Sequence, residues 1–235
     1  KRLDPDNPRT DELIDKAEHL LRPRASFSPH GWQDNAGRSF MEYELKASAF
    51  VQENLAIQGS ISDLAWKSDN NSLHGHAMGI GLRFFPFKQH WLDLMVRDVQ
   101  PDRGSSFMEA RAAWRGVYSI DNLRINGPYT LAYSRQSIET AESVKNGVYA
   151  DRLALSTEAR VLDWGVVQAE IFGVQRTDNN RTLGGTVSPR YIIWDKPQLQ
   201  VGYLFSTANS DRNPTYYYAP QEYVNHMAVA SFDVA

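Results

Sequence analysis

Apolar and polar residues alternate along most of this chain, and helical spacing is almost absent after position 38. In residues 152–161, Leu153 and Leu155 fall on one parity, whereas Arg152 and Glu158 fall on the other. Successive side chains of a β-strand point to opposite faces of the sheet, so this segment has one apolar and one charged face. The pattern predicts an all-β protein in which nearly every strand carries charge on one face.

The alternation recurs often enough to predict about eleven strands over residues 39–235. Short connections, as at residues 53–54 and 121–122, take turns with longer polar ones, as at residues 100–106 and 136–147. Outer-membrane β-barrels have this arrangement, with short periplasmic turns and long external loops. We therefore predict an antiparallel transmembrane β-barrel that the chain enters from the periplasm. Such barrels have an even strand count and no open edge, so we expect this one to be incomplete at its C-terminus.

Strand alternation by itself leaves a second interpretation open. A water-soluble β-sandwich or barrel also alternates, but there the apolar face forms the core and the charged face meets water. A soluble β-rich carbohydrate-binding domain would therefore produce a similar sequence. The two interpretations differ in which face of the strands is exposed on the folded molecule.

A segment whose apolar residues recur at helical spacing precedes the strands. Leu13, Ala17 and Leu20 recur at that spacing after Thr10, a suitable N-cap residue, and Pro23 ends the segment. A single amphipathic helix of this length is only marginally stable alone. We expect residues 1–24 to be the end of a larger helical region, and residues 25–38, rich in Pro, Ser, Gly and Asn, to be a linker.

The composition and the absence of known motifs exclude several classes of function. The chain has 235 residues, a formal net charge of -3 and no cysteine, so it has neither a basic surplus for nucleic acid nor thiolate ligands. The mean hydropathy of -0.50 is compatible with a barrel, because lumen and loop residues dilute the apolar strand faces. His74-Gly75-His76 lacks a third ligand at a suitable spacing, and no Gly-x-Ser-x-Gly, Gly-x-Gly-x-x-Gly or P-loop pattern occurs. We predict no enzyme, no metal site and no cofactor.

The phrase LDPDNP at residues 3–8, followed by the helix and then by strands, resembles the end of a tetratricopeptide array joined to a barrel. This order resembles the exopolysaccharide export porins of Gram-negative bacteria, which include the poly-N-acetylglucosamine export porin and the cellulose export protein. Residues 34–38 (DNAGR), 176–181 (RTDNNR) and 213–220 (NPTYYYAP) are similar to segments of the glucosamine-polymer porins. In that family about five further strands follow the last segment, which would give about 16 in the intact barrel.

The resemblance implies export of a poly-N-acetylglucosamine-like biofilm polymer through a hydrated lumen. It also implies an outer-membrane location, contact with lipid, and periplasmic biosynthesis or modification proteins as partners of the helical scaffold. The expected mid-barrel Ser-Glu-Ser-Arg stretch is replaced by Tyr133-Ser134-Arg135-Gln136, which leaves the polymer open. A cellulose-type channel or a general diffusion porin are the alternatives.

The charged parity of the strands predicts the residues that line the lumen. These polymer-lining candidates are Glu42, Glu44, Asp93, Arg97, Glu109, Arg111, Arg115, Glu158, Arg160 and Glu170. The alternative role for each is a cross-strand pair that stiffens the wall. Trp91 and Phe172 share this parity and could stack on sugar rings. We expect the long loop at residues 136–147 to act as a lid or plug.

Overall fold

The computed structural model describes residues 22–34, 37–68, 71–138, 140–162, 164–195, 198–214 and 217–233. Twelve antiparallel strands form one sheet in which each strand pairs with its neighbours in sequence. The strands are β1 (Arg24–Gln33), β2 (Ser39–Gln52), β3 (Leu55–Ser68), β4 (Asn71–Phe87), β5 (His90–Pro101), β6 (Phe107–Ile120), β7 (Ile125–Ser137), β8 (Tyr149–Val161), β9 (Gly165–Arg176), β10 (Arg181–Asp195), β11 (Gln198–Ser210) and β12 (Tyr223–Asp233). A 3₁₀ turn (Asp121–Leu123) and a short helix α1 (Ala141–Lys145) lie between strands.

The all-β prediction is confirmed, and eleven strands, β2 to β12, fall in residues 39–235 as expected. The linker predicted for residues 25–38 is wrong in part, because β1 occupies most of it. Pro23 and Pro29 obscured the alternation there. A proline is compatible with an edge strand, where its missing N–H leaves no ladder bond unmade, and Pro29 lies opposite Tyr43 of β2 on such an edge. The helical region predicted for residues 1–24 lies almost wholly outside the described residues.

The connections at one end of the sheet are all short, whereas those at the other end vary in length. The links β2–β3, β4–β5, β6–β7, β8–β9 and β10–β11 are turns of a few residues at one end, which we call the short-turn end. The opposite, loop end carries the longer segments between β5 and β6, β7 and β8, and β11 and β12. The β3–β4 ladder extends to Ser68 and Asn71.

The described strands form an open sheet. Strand β1 pairs only with β2 and strand β12 only with β11, so both edges keep unpaired backbone groups in this part of the chain. No helix among the described residues is long and apolar enough to cross a membrane.

One face of the sheet is apolar and exposed, whereas the other is polar and buried. Large apolar side chains on one face are exposed, for example Ile80 at 77% and Ile171 at 64%. Polar side chains on the other face are buried, for example Arg97 at 4% and Thr182 at 3%. In a water-soluble sheet the apolar face would be the buried one. We call the exposed apolar face the outer face, and the other the inner face.

Apolar burial on the inner face is concentrated near the loop end. Trp66, Leu73 and Val99 of three neighbouring strands are almost completely buried there, and Ala141 and Val144 of α1 pack against them. Because α1 lies between β7 and β8 but contacts β3 and β4, the sheet must curve around the helix. The loop-end core therefore lies inside the curve of the sheet.

Candidate functional site

The inner face is concave, and one arginine demonstrates this. Arg97 of β5 donates hydrogen bonds both to Glu109 on the adjacent β6 and to Glu42 on β2, three strands away. A flat sheet would hold β2 and β5 about 14 Å apart at about 4.8 Å per strand, too far for this contact. The side chains of this face therefore converge on an interior space.

The register places all twelve predicted site residues on this inner face. Chain periodicity alone was sufficient to assign them to one face. The structure then divides them into a buried cluster, a half-exposed set of pairs, and a remaining group with weaker contacts. The three groups differ in burial and in how completely their charges are paired.

Arg97, Glu42 and Glu109 form the buried cluster. Their exposed fractions are 4%, 7% and 5%, and the Arg97 Nη2 lies 2.6 Å from Glu109 Oε2. The remaining Glu109 oxygen accepts from the backbone N–H of Ser137 at 3.2 Å. Two carboxylates around one guanidinium, with further donors, satisfy most of the charge locally. This cluster ties β2, β5 and β6 together, which is the wall-stiffening role.

A second group of charges is paired but half-exposed. Asp93 accepts from both Arg83 and Arg115, on the strands at either side of it. Arg152 donates to Glu170 at 2.5 Å, and its guanidinium carbon lies 4.9 Å from the ring centroid of Phe172. These pairs cross adjacent strands and leave polar atoms facing the interior.

The other candidates have weaker partners. Glu44 lies 3.3 Å from Lys46, and Glu158 accepts from Gln168, which in turn accepts from Arg190. Arg111 is exposed, and no carboxylate among the described residues lies within ion-pair distance of it. Trp91 is half-buried opposite Arg115, and Arg160 lies opposite Val166. In all, inner-face basic side chains outnumber acidic ones in the described strands.

The loop at residues 136–147 folds into the interior. Thr140 caps α1 by accepting from the backbone N–H of Ser143 at 3.2 Å. Glu142 accepts hydrogen bonds from the hydroxyl of Ser68 and from Asn71 Nδ2, the latter at 3.2 Å. Burial raises the pKa of Glu142, but these hydrogen bonds outweigh it and hold the pKa below its usual value. The helix is thus fixed to the opposite wall by polar contacts as well as by its apolar residues.

The loop between β11 and β12 makes a second inward contact near the loop end. Tyr217 is 1% exposed, donates to Asp178 Oδ2 at 2.7 Å and accepts from Asn180 Nδ2 at 2.9 Å. Burial, followed by the hydrogen bond to Asp178, raises the pKa of Tyr217 to about 12. Its ring centroid lies 4.9 Å from the guanidinium carbon of Arg176. The β9–β10 connection at Asp178 and the β11–β12 loop at Tyr217 therefore contact each other.

These inward loops and the wall enclose a cavity of about 760 Å³, which we call the loop-end chamber. Trp32, Arg152, Arg176, Tyr217 and Tyr218 are among its lining residues. Sequence reasoning missed most of them. Arg176 shares the inward parity and could have been found by extending β9. Trp32 lies in the segment predicted to be a linker. Tyr217 lies in a loop, where no periodic pattern predicts the direction of a side chain.

The outer face carries aromatic side chains at the short-turn end. Trp114 Nε1 donates to the Tyr129 hydroxyl at 2.8 Å, and His90 packs beside both rings. Trp164 and Tyr191 form another contact, with ring centroids 5.6 Å apart and both side chains about half exposed. His74 and His76 also point outward, and the described residues contain no group of three or more metal-type ligands.

No family model, curated protein or solved structure matches this chain.

Proposed function

We propose that the protein is an outer-membrane channel of a Gram-negative bacterium that exports a secreted exopolysaccharide through a hydrated interior. One observation carries the membrane part of the proposal: the apolar face of the sheet is exposed and the charged face is buried. Exposing a whole sheet face of Ile, Leu, Met and Val to water is strongly unfavourable. The same face is stable against lipid, and the charged face then lines a lumen.

Two further features support a membrane location. The outer-face aromatic pairs at the short-turn end have the placement of an interfacial girdle. Every connection at the short-turn end is short and the longest loops lie at the other end, as in bacterial barrels with periplasmic turns. In this orientation the N-terminal side is periplasmic, where an upstream helical scaffold would contact biosynthesis or modification proteins.

Open edges are incompatible with lipid, because unpaired N–H and C=O groups there have no water to bond. The proposal therefore requires that β1 and β12 be paired in the membrane by further strands. A total of about 16 strands, as the porin resemblance implies, would provide them.

The interior supports transport without catalysis. Its charges are mostly paired across strands, which leaves hydrogen-bonding atoms at the surface without a strong fixed field. A moving polymer needs contacts of this kind, because tight sites would stop it. The poly-N-acetylglucosamine-like identity rests on the sequence resemblance alone, since the inner face has no acidic surplus for a cationic polymer.

Single-channel conductance of the full-length protein in planar bilayers tests the proposal. We expect a conductance that oligosaccharides of at least several units reduce and that monosaccharides at equal mass concentration leave unchanged. Glucosamine, glucose and uronic acid oligomers are compared at the same length. Conductance insensitive to every oligomer would indicate a general diffusion porin. Protein that stays monodisperse without detergent and forms no channel would indicate the soluble carbohydrate-binding domain, and would overturn the proposal.

A further inference from the structure

Arg176 differs from the other buried arginine of the inner face. Arg97 is surrounded by carboxylates, whereas Arg176, only 9% exposed, has no carboxylate within ion-pair distance among the described residues. Its Nη1 donates to Thr182 Oγ1 at 2.7 Å, and its guanidinium lies against the ring of Tyr217. A guanidinium has five N–H donors, so most of its donors remain for a ligand.

The nearest carboxylate is already used by other groups. Asp178 accepts from the hydroxyl of Tyr217 at 2.7 Å and from the backbone N–H of Asn180 at 3.1 Å. Thr182, the hydrogen-bond partner of Arg176, also shares a hydrogen bond with Ser210 at 2.7 Å. These contacts fix the position of the Arg176 head, and the charge of Asp178 compensates it only from beyond ion-pair distance. Burying a cation without a counter-ion is costly, which favours an anion arriving from outside the chain.

The surroundings of Arg176 suit a sugar. The loop-end chamber, about 760 Å³, is large enough for a ligand of a few rings. Trp32 and Tyr218 also line it, and Tyr218 is 63% exposed, so an aromatic face is available for contact. The other two arginines of the chamber wall are already paired, Arg152 with Glu170 and Arg38 with Asp34. One cation with free donors thus lies beside aromatic surfaces.

We propose that the loop-end chamber binds an acidic sugar unit, with Arg176 holding its carboxylate and Tyr218 and Trp32 contacting the ring. A guanidinium matches a carboxylate through two parallel hydrogen bonds, which makes this contact selective for charge and geometry. The inference rests on the proposed function, because it supplies the polymer that passes the chamber. It assigns to that polymer, or to a substituent on it, a negative charge.

The test measures oligosaccharide block of the full-length channel at equal chain length. Oligomers of glucuronic acid, glucose and glucosamine differ mainly in charge, and a sulfated glucose oligomer distinguishes a carboxylate from another anion. We expect glucuronic acid oligomers to block at the lowest concentration. In Arg176→Gln the blocking concentration should rise about 10- to 100-fold, as expected for loss of charged hydrogen bonds. Arg176→Lys keeps the charge but loses the two parallel hydrogen bonds of a guanidinium. Its blocking concentration should lie between those of the unmodified channel and Arg176→Gln.

Arg103→Gln is the matched control, because Arg103 is an exposed arginine in the β5–β6 loop at the same end and does not line the loop-end chamber. It should leave the block by glucuronic acid oligomers within about twofold of the unmodified channel. Equal block by glucose and glucuronic acid oligomers, stronger block by sulfated than by carboxylated ones, or an equal effect of both arginine substitutions would overturn the inference. Each of these results leaves a conducting, oligosaccharide-sensitive channel, so the proposed function would survive. Unaltered open-channel conductance of Arg176→Gln and Arg176→Lys establishes that both variants fold.

Discussion

At the scale of single residues, two buried arginines of the inner face differ in the groups that surround them. Arg97 is enclosed by Glu42 and Glu109, and removal of its charge would leave two buried carboxylates facing each other. Arg176 is similarly buried but lacks such partners among the described residues. The parity of the sequence assigns both to the interior and cannot distinguish them, because their partners come from other strands and loops.

Replacing Arg97 with methionine should lower the free energy of unfolding by about 3–5 kcal/mol, the usual cost of breaking a buried ion pair from one side. The measurement is urea unfolding of the protein in detergent micelles, followed by tryptophan fluorescence. Arg111→Met, at an exposed inner-face position, is the control and should change stability by less than about 0.5 kcal/mol.

A triple variant sharpens this prediction. Replacing Arg97, Glu42 and Glu109 together by apolar residues of similar volume should restore most of the lost stability, since no uncompensated charge remains. A triple variant no more stable than Arg97→Met would contradict charge compensation as the main role of the cluster.

At the scale of elements, helix α1 packs inside the curve of the sheet, and we predict that it acts as a plug. Replacing residues 138–147 by a short Gly-Ser turn should raise single-channel conductance, because it removes Ala141, Val144 and Glu142 from the interior. Deleting residues 103–105, in the exposed β5–β6 loop at the same end, is the control and should leave conductance unchanged. Unchanged conductance of the first variant would exclude a plug.

The contacts of Glu142 make the position of this plug dependent on pH. Its pKa in the folded protein is lowered, so its ionised form stabilises the docked helix at neutral pH. That stabilisation is present above the usual carboxyl value of about 4.5 and is lost as the pH falls through the lowered pKa. Conductance should therefore rise below about pH 4.5 in the unmodified channel. Glu142→Gln, which cannot ionise, should remove this component of the pH response; an unaltered response would assign it to other groups.

The sequence was informative for strands and much less so for loops. Alternation located β2 to β12 because each has one apolar and one polar face, so a period of two is directly visible. It missed β1, in which Pro29 interrupts the period, although an edge position tolerates a proline. The inward fold of α1 was expected only as a lid or plug, and its contacts with Ser68 and Asn71 depend on curvature that no local pattern records.

At the scale of the whole molecule, the distribution of polarity determines the medium in which the sheet is stable. In the proposed channel, lipid surrounds the apolar outer face and water fills the space inside the charged, paired inner face. The unpaired edges of β1 and β12 add a constraint, since lipid tolerates neither. A charged substitution on the outer face should therefore cost stability in a membrane and almost none in water.

Ile80 is the position that separates the two media most clearly. It lies near the middle of β4 on the outer face and is already 77% exposed, so arginine there would cost a water-soluble protein almost nothing. At the centre of a bilayer the same change costs about 2–4 kcal/mol. Leu123→Arg, at a 57% exposed position in the 3₁₀ turn of the short-turn end, is the control and should cost less than about 1 kcal/mol, because a turn at the interface reaches water. The measurement is the free energy of unfolding from lipid vesicles, and equal, negligible effects of both substitutions would show that the outer face does not lie in lipid.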